Sequence, residues 1–138
     1  MLHAKSGGAV SRDRLAAAIE EKLSAEQESQ RMEFVLTKEK QDGAVCFGEH
    51  YGVNLKFDDP KIMVLYEACA KVGLPVMFHM DRGKNLDEQG LPRLENVLKT
   101  YPNLILIAHS DWWKHLADGT CDRMLQTYPN LYADISCT

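Results

Sequence analysis

Glu49, His79 and His109 are the residues of this chain whose types and positions point most directly to chemistry. Each ends a short apolar run: Ala44 to Gly48 before Glu49, Pro75 to Phe78 before His79, and Leu104 to Ala108 before His109. If those runs are neighbouring parallel strands, their C-terminal ends open onto one rim, where α/β barrels and open sheets build their sites. Two neutral imidazoles and a carboxylate meeting there are a natural ligand set for Zn²⁺ or a similar divalent ion. An open position remains for a water whose pKa the metal lowers to about 7, which makes that water the nucleophile. A lone histidine after an apolar strand is more often a hydrogen-bonded structural residue, and a lone carboxylate there often caps the next turn. Recurrence in three successive units is what favours the site.

Other candidates surround these three. A fourth apolar run from Leu131 leads to Asp134 and Ser136, two residues apart and therefore on one strand face; both can enter the site or be satisfied by backbone at the sheet end. Trp112 and Trp113 follow His109 in a loop with Lys114 and His115, and either wall a substrate pocket or pin the loop by burying apolar area. Asp81, Arg82 and Lys84 follow His79; Arg82 is the candidate grip for an anionic substrate, against the alternative of a solvated charged loop. His50 falls on the opposite strand face from Glu49, and His3 is incidental.

The elements that must position these residues are legible in outline. Ser11 is a candidate N-cap, and Leu15, Ile19 and Leu23 recur at helical steps in an Ala/Glu/Lys-rich stretch; Arg31 to Lys40 either continues that helix or forms a second one before Asp42-Gly43. Asp59-Pro60 opens a helix with an apolar face of Ile62, Leu65, Tyr66, Cys69 and Val72, stopped by Gly73. A further helix spans Pro92 to Thr100. The run Leu98-Lys99-Thr100-Tyr101-Pro102-Asn103-Leu104 is echoed by Leu125-Gln126-Thr127-Tyr128-Pro129-Asn130-Leu131, each copy ending a helix, turning and starting a strand. Strands alternating with helices predict a parallel sheet of the α/β class. The expected organisation is an N-terminal helical segment over 1–43 and about four parallel strands with helices over 44–138.

At these residues the chain resembles a known family. Leu65 to His79, Leu94 to Tyr101 leading through Pro102-Asn103-Leu104 to Ala108-His109, and Tyr128 to Ser136 are similar to the amidohydrolase superfamily, in its amidohydrolase-2 branch of metal-dependent hydrolases and decarboxylases. The resemblance implies a (β/α)₈, TIM-type barrel, here partial, with His79 and His109 as metal ligands at the ends of the fifth and sixth strands. Glu49 resembles the acidic residue that bridges two metals in some related branches, and Asp134 matches a strand-seven position that is not the usual catalytic aspartate. The pattern departs from the family in two places. His3 is followed by Ala4-Lys5, not by the second His of a first-strand His-x-His, and the eighth strand with its catalytic Asp would lie beyond Thr138. The implied activity is metal-assisted hydrolysis of an ester, amide or lactone; the residues themselves, apart from the resemblance, offer Glu49 and Asp134 as catalytic carboxylates and Trp112, Trp113 and Arg82 against the substrate. Decarboxylation by the same branch, or a half-barrel serving as a binding or assembly module without catalysis, are the alternatives.

Composition narrows the partners. With 16 Lys plus Arg against 20 Asp plus Glu, a net charge of −4 and no basic cluster, the chain lacks the footprint of a nucleic-acid binder. No apolar run approaches the roughly 20 residues that span a bilayer, and the start does not read as a signal peptide, so the expected setting is cytoplasmic. Cys46, Cys69, Cys121 and Cys137 form no Cys-x-x-Cys pair and read as buried thiols. A closed barrel takes about 250 residues. Four strands leave a face and two edges open, which the N-terminal helix could cover, which could stay open, or which a second copy of the chain could bury; homo-oligomerisation around a small-molecule site is the expectation.

Overall fold

A computed structural model describes residues 12–80 and 83–135. The elements run α1 (Arg12–Gln41), β1 (Phe47–His50), β2 (Leu55–Lys56), α2 (Pro60–Val72), β3 (Val76–His79), β4 (Asn85–Leu86), α3 (Pro92–Thr100), β5 (Leu106–His109), a 3-10 turn (Trp112–His115), α4 (Thr120–Thr127) and β6 (Leu131–Ala133). The expected helix–strand alternation is present, with strands shorter than the apolar runs that announce them. The candidate N-cap Ser11, together with His3 and Cys137, lies outside the described residues.

Helix α1 is one unbroken element of 30 residues, so the stretch from Arg31 continues the helix. Its second half packs along α2. Leu36 is buried, Glu33 pairs with Lys71 at 2.7 Å, and Lys40 Nζ donates to the C-terminal carbonyls of Val72 and Gly73 at 2.7 and 3.2 Å. The first half overhangs, because a helix of that length reaches about 45 Å against about 20 Å for α2. Ile19 and Leu23, which carry the helical spacing of that half, are about half exposed. None of the described helices is long and apolar enough to cross a membrane.

Local chemistry accounts for α2. Asp59 accepts a hydrogen bond from the Lys61 amide at 3.0 Å, Pro60 takes the first helical position, and Gly73 closes the helix in the left-handed region at φ 73°, ψ 39°. Ile62, Tyr66 and Cys69 turn inward as their spacing predicts. Burial pushes the Cys69 and Cys121 thiols up to about 12 and about 11, so both stay protonated and inert.

Four strands form one sheet in the order β1-β3-β5-β6, every pair parallel. Alternation along the strands divides its two faces. Val76, Phe78, Leu106 and Ala108 are fully buried with Tyr66, Leu94, Val97 and Met124 of the helices. Between them Met77 and Ile107 are only partly covered, while Ile105 and Tyr132 are 40% and 54% exposed. One face thus carries the core and the other stands open. Among the described residues the sheet does not close on itself. A second, unanticipated parallel pair, β2 with β4, links the loops that follow β1 and β3 through Leu55↔Asn85 and Lys56↔Leu86.

Candidate metal centre

The sheet brings the strand-end residues together. His79 and His109 are the last residues of β3 and β5 and sit directly opposite one another in the parallel register. Equal phase puts both side chains on the open face, with ring centroids 4.9 Å apart at 73°. Glu49 reaches the same place from β1 through an irregularity. Phe47 pairs with Val76 and His50 with Phe78, so three steps on β1 oppose two on β3, a bulge that re-aims the side chain between them. Gly48 makes the close approach possible: a Cβ there would lie 2.8 Å from Met77 Cβ and 2.9 Å from the Met77 carbonyl oxygen.

Glu49 stands at the centre of the resulting network. Its Oε2 lies 2.6 Å from His79 Nε2 and accepts from the Tyr51 hydroxyl at 2.8 Å, while its Oε1 lies 3.6 Å from His109 Nε2. The Tyr51 and His79 hydrogen bonds, with the nearby imidazoles, hold the carboxyl below the usual glutamate range. Its side chain is 44% exposed, against 7% and 10% for the two histidines, so the cluster opens to solvent on the glutamate side. On the far side His109 Nδ1 meets Asp134 Oδ2 at 2.7 Å. Since a carboxylate only accepts, Nδ1 carries the proton and Nε2 is left facing Glu49. The Trp113 indole donates to the Asp134 carbonyl at 2.9 Å and ties the loop after β5 to the end of β6.

Glu49, His79 and His109 each offer a ligand atom, all within 4.8 Å of one another. Ligand atoms around a tetrahedral zinc sit about 3.4 Å apart, so on binding the 2.6 Å hydrogen bond between Glu49 and His79 would open while the widest separation shortens. Neutral imidazole nitrogen and carboxylate oxygen suit a divalent ion such as zinc. The group could hold a metal ion.

The remaining candidates separate. Asp134 joins the cluster through His109, and Trp113 joins it through Asp134. Trp112 is fully buried in the hydrophobic core, with its indole nitrogen unpartnered among the described residues. Lys84 Nζ lies 4.5 Å over the Tyr51 ring. His50 points away from Glu49 into the core against Tyr66, and burial pulls its pKa down to about 4. His115 belongs to the 3-10 turn, where burial also lowers its pKa. Arg82, Asp81 and Ser136 lie outside the described residues.

Two participants were not anticipated. Tyr51 follows Glu49 by two residues and holds its carboxylate while its ring edges His79 at 4.7 Å. Asn85 is buried between the loops after β1 and β3. Tyr51 carries a faint signal in its nearness to Glu49; Asn85 carries none. Comparisons with protein-family models, with curated proteins and with solved structures find no match for the chain.

Proposed function

We propose that this chain is a metal-dependent hydrolase of the amidohydrolase type, acting on the carbonyl of an ester, amide or lactone. The observation that carries this reading is the convergence of Glu49, His79 and His109, from three successive strands of one parallel sheet, within 4.8 Å. A divalent ion there, zinc by the nature of the donors, supplies a Lewis acid that brings the pKa of water to about 7 and polarises a carbonyl. The chain's own groups do the rest. Asp134 keeps the Nδ1 proton of His109, so Nε2 presents its lone pair to the centre in a fixed orientation. Tyr51 holds one oxygen of Glu49. The Glu49 carboxylate, ionised at neutral pH, would serve as the third ligand, with its solvent side leaving room for water at the open position. Trp113, pinned to the Asp134 carbonyl, gives the rim an apolar wall against which a substrate packs.

In this reading a second copy of the chain covers the open face. Parallel sheets are stable with both faces covered, and the outer edges of β1 and β6 are unpaired among the described residues. Two such sheets related by a twofold axis along the strands would supply the eight parallel strands of a barrel and bring both clusters to one mouth. Activity is tested on zinc-loaded protein with a panel of aryl esters, amides and lactones. Turnover that falls about a hundredfold or more in Glu49→Gln supports the proposal, and a loaded protein inert on all three classes overturns it.

A further inference from the structure

Asn85 makes three side-chain hydrogen bonds, two donated and one accepted, and all of them go to the backbone at the edge of the metal centre. It is 3% exposed. Its Nδ2 donates to the His79 carbonyl at 2.7 Å and to the His50 carbonyl at 3.1 Å, while its Oδ1 accepts from the Gly52 amide at 2.7 Å. One of those carbonyls belongs to a candidate ligand and the other to the residue after a candidate ligand. The β1–β3 ladder ends at His50↔Phe78, so the amide bridges the two strands just beyond the last ladder position.

The amide is itself held on a platform. Around it Asn54 donates to the Gly83 carbonyl at 2.9 Å, Phe57 donates to the Leu86 carbonyl at 2.9 Å, and β2 runs parallel to β4. The fit is close: a Cβ at Gly52 would come within 2.4 Å of Asn85 Oδ1. Strand ends that carry ligands fray unless something beyond the ladder fixes them, and coordination tolerates only about 0.2 Å in each bond length. A buried amide with two donors and one acceptor all satisfied is the kind of polar group that sets a unique geometry.

We propose that Asn85 is a positioning residue that fixes the separation of Glu49 and His79 and thereby sets the metal affinity of the centre. This rests on the metal-centre reading above for its second half only. In Asn85→Asp the shape is kept and Gly52 still has its acceptor, but a carboxylate oxygen faces two carbonyl oxygens where donors stood, and the two strand ends separate.

The experiment compares wild type, Asn85→Asp and Val97→Ala; Val97 is a fully buried residue of α3, and its truncation controls for loss of stability alone. Cobalt(II) is titrated well below each melting temperature, and its visible absorption gives affinity and coordination geometry. Expected is a loss of about tenfold or more in affinity with an altered visible band in Asn85→Asp, and neither change in Val97→Ala. Metal-free proteins are compared through the ring nitrogen resonances of His79, which report its hydrogen bond to Glu49. These should move in Asn85→Asp alone. If wild type binds no cobalt, the metal reading fails while the resonances still decide the role of Asn85. A folded Asn85→Asp with unmoved His79 resonances overturns the proposal, as do wild-type cobalt affinity and spectrum. If Asn85→Asp does not fold, Asn85→Ser, which keeps one hydroxyl donor, is read in the same way.

Discussion

His109 donates its Nδ1 proton to Asp134 Oδ2 at 2.7 Å across the β5–β6 pair, and this bond leaves the other ring nitrogen turned toward Glu49. A carboxylate behind a ligating imidazole fixes its tautomer and raises its basicity. Asp134→Asn should therefore keep the fold, by circular dichroism, while weakening zinc about 10- to 100-fold in a chelator competition. Unchanged affinity would remove Asp134 from the centre.

Gly48 places Glu49 through the bulge in β1, where a methyl group would press on Met77 at 2.8 Å. Gly48→Ala should cost about 1–3 kcal/mol by urea unfolding, the range for over-packing a close contact. Zinc affinity should fall with it, because β1 must move away from β3. Wild-type values for both would show that the approach tolerates a side chain.

His50 gives stability a pH dependence of definite sign. Its ring is buried against Tyr66 and Phe47, and its folded pKa is depressed from 6.5 to about 4. Between those values the unfolded chain binds a proton that the folded one refuses. The contribution is complete above pH 6.5 and is lost as pH falls toward 4, by at most about 3 kcal/mol. Unfolding of metal-free protein at pH 7.5 and 4.5 should show this loss, reduced in His50→Phe by a comparable amount. Equal losses in both would assign the dependence to other groups.

The uncovered face predicts self-association. Ile105 and Tyr132 stand on it at 40% and 54% exposure. Light scattering should give twice the chain mass for wild type and the single-chain mass for Ile105→Glu, since a charge buried in an apolar interface is strongly unfavourable. A monodisperse wild-type monomer would contradict the second-copy cover.

What was legible in the sequence is what local chemistry encodes. Asp59, Pro60 and Gly73 mark the ends of α2 by their conformational preferences alone, and the apolar runs mark the strands. The strand-end positions of Glu49, His79 and His109 follow from those runs. Thirty residues separate Glu49 from His79, and an equal interval separates His79 from His109, the length of one βαβ unit. The illegible parts depend on distant partners. The two-residue strands β2 and β4 exist only because their loops meet, and Asn85 gains its role from carbonyls that its own neighbourhood does not reveal. Ile19 and Leu23 have helical spacing, but periodicity specifies a face, not whether a partner reaches it. Of two adjacent indoles, Trp112 sinks into the core and Trp113 reaches Asp134, a division that spacing does not encode.

Metal content tests the central claim most directly. Purified protein incubated with zinc and desalted should retain one ion per chain by elemental analysis, with retention lost in both His79→Ala and His109→Ala while their circular dichroism stays native. Protein that emerges metal-free, or histidine variants that hold zinc as wild type does, would contradict the account.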